Sequence, residues 1–268
     1  MTDLSRKLIR IQSKRSSIRS AKAIITIILT LAVFSWAFAG IEFTLDKVAA
    51  GVPPLLDFLY KLYPPDVSIA PTLFESAVET IQMVLVGTVL GTSLAIPLSA
   101  MASSNIAPRP LVMVTRTYLM VVRTIPSLVW ALIFVIAVGL GPFSGVLALT
   151  FYTLGYLGKL YYEAIESIDM DTVEGVVAVG ANNTQIFSHA ILPQLVPHIV
   201  NNFFFMIDYN VRHAAILGLV GAGGIGFYLF LYLQSFSLEK VAMALLVLLA
   251  LVIGFDRLSL EVRKKLVQ

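Results

Sequence analysis

The stretch EGVVAVGANNTQIFSHAILP, residues 174–193, decides how this chain is built, because it is a polar-punctuated pair of short helices lodged between segments apolar enough to cross a membrane. Asp171, with Glu174 three residues on, reads as an N-cap with a reciprocal carboxylate, and Gly180 reads as the left-handed stop of a helix of about two turns. A second short helix follows, capped by Asn183 or Thr184. Ile186, Phe187, Ala190 and Ile191 fall on one of its faces at helical spacing, with Gln185, Ser188 and His189 on the other. Pro193 then opens the next helix, where its missing N–H is not needed. A polar segment between membrane spans stands outside the bilayer, where a partner can grip it.

Working outward, 58% of the residues are hydrophobic and 13% are charged, and the mean hydropathy is +0.87, which predicts an all-α integral membrane protein. There is no cysteine, so disulfides and thiolate metal sites are excluded. The positive charges do not form one patch interleaved with aromatics, so nucleic acid is not a partner. Residues 1–22 read as a basic cytoplasmic tail, carrying Arg6, Lys7, Arg10, Lys14, Arg15, Arg19 and Lys22 against Asp3 alone. Residues 23–41 form the first transmembrane helix, not a cleaved signal peptide, since the apolar run exceeds a typical signal core. Residues 42–75, with Pro53, Pro54, Pro64 and Pro65, read as an outer loop holding a short helix near 55–62. Residues 76–268 then form a core with spans at 76–102, 125–140, 143–161, 195–218 and 241–255, about six transmembrane helices in all. Fifteen of the nineteen basic residues lie on the inner side in this topology, which places both termini in the cytoplasm.

Two further blocks carry a resemblance. They are RTIPSLVWALIFVIAVGLGPFSGVLAL, residues 123–149, and NVRHAAILGLVGAGGIG, residues 210–226. The spacing of Glu174, Gly180, Leu192 and Pro193 resembles the cytoplasmic coupling loop of ABC importer permeases, with Gly175 and Val176 where that loop has two alanines. The two longer blocks look like the permease subunit of phosphonate and phosphite ABC importers, over residues 76–266. Met206, Ile207 and Asp208 stand where members of that family carry Arg-Phe-Glu, a departure that bears on the substrate. The resemblance implies a type I importer fold in a bacterial inner membrane and a pathway formed with a second copy of the chain. It also implies two P-loop ATPase subunits that bind ATP and Mg, and an extracytoplasmic substrate-binding protein. This chain has no G-x-x-x-x-G-K-[ST] pattern, so it is not itself expected to be an enzyme or to bind a cofactor. The coupling loop, 163–193, would act through Asp171, Glu174, Gly175, Gly180, Ala181, Ile186, Phe187, Leu192 and Pro193.

Ionisable groups inside the spans are few, and each needs a partner or water. Asp208 and Arg212, four apart, form either a structural ion pair or a pathway in which Arg212 attracts an anion, with Asn210 and His213 beside it. Glu75 and Glu79 are expected to cap the second span through Thr72 and Ser76, with Glu79 also a pathway candidate. Gly221, Gly223 and Gly226 satisfy G-x-G-x-x-G, but with no βαβ context they read, with Gly224, as a hinge or packing turn. Gly87 and Gly91 form G-x-x-x-G, which favours close helix approach within the chain or between copies. No metal site is expected. The competing reading from another class is an ion-gradient-driven transporter or channel for a small anion, which also uses broken spans and buried charge.

Overall fold

The protein is described here from a computed structural model that covers residues 3–41 and 43–267, and every regular element among them is helical. Its contacts divide the chain into two units, Met1–Tyr60 and Lys61–Gln268. In the first, α1 (Asp3–Gly40) takes the basic tail and the first apolar run into one helix. Residues 22–40 have a mean hydropathy of 2.2 and none is buried by protein, so their apolar surface is left for lipid. The second helix, α2 (Leu45–Lys61), runs through Pro53 and Pro54, so most of the expected outer loop is helical. Val48, Val52, Leu55, Leu56 and Leu59 give it one apolar stripe on both sides of the prolines.

The second unit begins with a 3-10 turn, Val67–Ile69, whose N-cap Asp66 accepts the Ser68 N–H at 2.9 Å. Then come α3 (Ala70–Ala102), α4 (Arg109–Thr124), α5 (Ser127–Val138) and α6 (Pro142–Glu166). The exposed segment holds α7 (Met170–Ala178) and α8 (Asn183–Ile186), and a π turn, Phe187–Ile191, joins it to α9 (Leu192–Leu217). A 3-10 turn, α10 (Gly224–Gln234) and α11 (Leu238–Val267) complete the chain.

The bundle is built around α6, which packs on α3, α4, α5 and α9. Small residues set the spacing. A Cβ on Gly87 would lie 2.8 Å from the Leu149 Cβ, and one on Gly91 would lie 2.6 Å from the Thr153 Cβ. The G-x-x-x-G pair thus serves contact within the chain, between α3 and α6. Gly158 of α6 receives the Leu119 side chain of α4 in the same way. Because neighbours bury so much of α6, it accommodates threonine, glycine and tyrosine in its buried face. At 25 residues it is still about 37 Å long, enough to cross.

Three expected boundaries change. Among the described residues four helices are long and apolar enough by composition to span, or five if the pair α4 and α5, bent by 88° at their junction, counts as one broken span. The third span, expected at 125–140, is therefore only the far limb of a broken helix. Pro126 cannot supply an N–H and holds the preceding residue extended, which ends α4 at Thr124. Arg109, Arg116 and Arg123, which fall in the gap between the spans expected at 76–102 and 125–140, lie on helix α4. The gap between the spans expected at 195–218 and 241–255 is largely α10, an apolar helix packed on α3, α9 and α11.

Candidate coupling segment and intramembrane polar groups

The exposed segment is built from local capping. Asp169, not Asp171, is the N-cap of α7: its carboxylate accepts the Asp171 N–H at 3.1 Å and the Thr172 hydroxyl at 2.9 Å. Asp171 instead sits in the first turn, where its charge complements the helix dipole. Glu174 is exposed and makes no reciprocal cap. The reason is one of register, since an Asx-type cap two residues upstream already satisfies those donors. Gly180 has φ +83° and open space around it, so it is needed for its backbone conformation alone.

The second helix is capped by Asn182 in place of Asn183 or Thr184. Its side-chain oxygen accepts the Gln185 N–H at 3.0 Å while the Gln185 side chain accepts the Asn182 N–H at 2.9 Å, a reciprocal capping box. The chain then widens into the π turn, where Leu192 N–H reaches the Phe187 carbonyl. Pro193 follows in the first turn of α9. A proline ring presses on the carbonyl four residues back, and the wider turn makes room for it.

Gln194 ties the two ends of the segment together. Its side chain accepts the Asp169 N–H at 2.9 Å and donates to the Ala190 carbonyl at 2.9 Å, so the start of α7 is fastened to the start of α9. Between the short helices lies a cleft of about 430 Å³ lined by Val176, Val179, Gly180, Ala181, Gln185 and His189. On the opposite side Phe187, Ile191 and Leu192 face an apolar cavity of about 370 Å³ shared with Ile96 and Tyr161. Ile186 is half-buried, and Gly175 is exposed with nothing near it.

The intramembrane groups separate into distinct sites. Arg212 and Asp208 form an ion pair at 2.9 Å, the aspartate buried and the arginine side chain half exposed. Asn210 is fully buried, and its amide donates to Thr88 and Thr153, each at 2.8 Å. It therefore binds α3, α6 and α9 together from the bundle interior and does not sit beside Arg212 on one face. His213 pairs with Ser127 at 2.7 Å and stacks near Tyr152 and Tyr209. Glu79 does not cap its own helix: it accepts the Gly224 N–H at 2.6 Å, and Thr80 accepts that of Ile225 at 2.9 Å, so α3 caps the start of α10. The expected caps at Thr72 and Ser76 fail because α3 starts earlier, at Ala70.

The glycine cluster is a turn. Gly221, Gly223 and Gly224 all have positive φ, and Gly141 N–H bonds the Gly221 carbonyl at 2.9 Å, fastening this turn to the α5–α6 turn. A Cβ on Gly226 would lie 2.0 Å from the Ala215 carbonyl oxygen, so no side chain fits there.

Three features escaped the sequence reading: the Asn182–Gln185 box, the Gln194 fastening, and the position of Arg116 and Arg123 on a packed helix. The last had a signal, for Val112, Thr115, Leu119 and Val122 are buried at helical spacing.

A helical bundle with a broken α4–α5 pair and an exposed two-helix segment is the form of a binding-protein-dependent permease. Residues 87–266 match the model of the family described as binding-protein-dependent transport system inner membrane component, and the chain belongs to that family. It is 38% identical over 215 residues to the phosphite transport system permease protein PtxC of Stutzerimonas stutzeri, covering 80% of this chain and 78% of PtxC. It is 35% identical over 238 residues to the phosphate-import permease protein PhnE of Mycolicibacterium smegmatis, covering 88% of this chain and 42% of PhnE. The inward-facing MetNI methionine ABC transporter has a chain of the same fold, with a TM-score of 0.66 and 22% identity over 75% of this chain and 99% of that one. The chain is thus a multi-pass membrane permease subunit of an ABC importer, and the ion-gradient reading gives way to the one the sequence motifs implied.

Proposed function

We propose that this chain, paired with a second copy, forms the pathway of an ATP-driven importer for phosphite, phosphonate or a related phosphorus oxyanion. Two P-loop ATPase subunits bind ATP and Mg and engage the 171–193 segment on the cytoplasmic side. An extracytoplasmic binding protein delivers the substrate from the opposite side, and both termini lie in the cytoplasm. The substrate class rests on the relatives, whose names specify phosphite and phosphate transport.

The observation that carries the coupling role is the construction of the exposed segment. Two capped helices, an open cleft between them and the Gln194 fastening make a body able to move as one piece with α9. When the ATPase pair closes on nucleotide, a rigid handle of this kind turns the attached spans and changes which side the pathway faces.

The test is Gly180→Val in the complete importer. A β-branched residue at φ +83° is penalised by about 1 kcal/mol or more and displaces α8, while the space around it is open, so the bundle is untouched. Membrane levels should stay normal while phosphite uptake is lost, with ATP hydrolysis uncoupled from transport or the ATPase no longer co-purifying. Uptake at the unmodified level would remove the coupling role. In the unmodified importer, uptake should survive collapse of the ion gradient and stop when ATP is exhausted.

A further inference from the structure

Arg109, Arg116 and Arg123 follow one another at seven-residue intervals on α4, so they form one basic stripe. Arg116 and Arg123, with Lys159 of α6, line a cavity of about 100 Å³ together with Leu119, Met120 and Tyr162. Two of these cations are already neutralised: Arg116 pairs with Glu166 at 2.5 Å and Lys159 with Glu163 at 3.2 Å. Among the described residues no acid pairs with Arg123.

Its depth follows from Gly155, whose Cβ, if present, would lie 2.9 Å from the Arg123 backbone nitrogen. Gly155 is thirteen residues after Pro142 and eleven before Glu166, which places Arg123 about 17 Å along α6 from its Glu166 end. A guanidinium without an acid partner, carried on backbone about halfway along α6 and lining a cavity with Lys159 and Tyr162, is expensive unless it faces water or an anion. Directly beyond it the helix breaks by 88°, and broken helices mark the binding regions of membrane transporters. Arg212, the cation expected from the sequence, is by contrast matched by Asp208.

We infer that Arg123 is the intramembrane cation that meets the transported phosphorus oxyanion, the neighbouring Arg116 and Lys159 being held by their own acids. The ligand named here rests on the function proposed above; the position of an unmatched charge at the break does not.

Because the chain has no cysteine, Arg123→Cys introduces a single thiol. The complete importer is reconstituted in vesicles of phosphatidylcholine and phosphatidylglycerol, and ATP-driven uptake of radiolabelled phosphite is measured. The variant should assemble with its ATPase yet lose about tenfold or more of the flux, as expected when a desolvated charge contact is removed. Aminoethyl methanethiosulfonate, which restores a positive charge, should recover part of the flux, and the anionic sulfonatoethyl reagent of similar size should not. Arg123→Lys should keep part of it, since a point charge still attracts an anion. Equal responses to the two reagents, or full flux in Arg123→Met, would overturn the inference. So would a loss confined to vesicles containing phosphatidylglycerol, which would assign Arg123 to a lipid headgroup. Flux of phosphite, inorganic phosphate and methylphosphonate through the unmodified importer is read in the same vesicles. Its absence for all three would defeat the substrate reading, and with it the ligand named here, independently of any variant.

Discussion

Glu166 gathers three donors on one carboxylate oxygen: the Ser104 N–H at 2.6 Å, the Ser104 hydroxyl, and the Arg116 guanidinium at 2.5 Å. Burial pushes this carboxyl up, but the Ser104 bonds and the Arg116 charge outweigh it and hold it below the usual carboxylate range. A depressed carboxylate contributes stability that is present above its unfolded pKa and is lost as pH falls through its folded value. Glu166→Gln should therefore lower the thermal unfolding midpoint of the purified chain at neutral pH. The difference should fade as pH falls through the folded value, which lies below the usual carboxylate range, because the native carboxyl is then itself protonated. A difference that stays constant into acid would show that shape, and not charge, does the work. Asp208 and Arg212 were legible as a pair because helical spacing brings positions i and i+4 together. Glu166 with Ser104, 62 residues apart, and His213 with Ser127, 86 apart, were not, because no local rule connects them.

Among the elements, glycine has two opposite uses. Gly91 of α3 exists for the approach of α6, since a Cβ there would be 2.7 Å from the Thr150 carbonyl oxygen as well as against Thr153. Gly91→Ala should destabilise the purified protein by about 1–3 kcal/mol through overpacking, read as a fall in its unfolding midpoint. Gly175, inside α7, has nothing within 4 Å. Gly175→Ala should leave transport intact and stabilise α7 by about 0.5–1 kcal/mol, because alanine gives up less backbone freedom on entering a helix. If both substitutions behave alike, packing at Gly91 is not what sets the α3–α6 spacing. Helix ends were legible where capping is local, as at Gly180, but the N-cap moved from Asp171 to Asp169 and from Asn183 or Thr184 to Asn182. Several capping residues cluster at each site, and side-chain geometry chooses among them.

At the scale of the molecule, α6 runs from the turn at Gly141 to Glu166, so the glycine turn and the coupling segment lie at opposite ends of the bundle. With the basic residues drawn inward, a single cysteine replacing Ser188 should resist an impermeant thiol reagent in intact cells, and one replacing the exposed Phe236 should react. The reverse labelling would invert the orientation and separate the coupling segment from any cytoplasmic ATPase. The apolar runs, the charge asymmetry and the punctuated 174–193 stretch determined by themselves that this is a helical membrane protein with a polar two-helix segment between its spans. Span length, positive-charge bias and turn chemistry are all properties of short windows of sequence. Only the tertiary structure decided that α6 is the central helix, that Asn210 is an interior fastening, that Glu79 caps α10, and that the Arg123 backbone meets α6 at Gly155 beside a break. Each of these depends on which helix faces which, and that is set by packing between segments far apart in the chain, where side-chain fit and not local propensity determines the outcome.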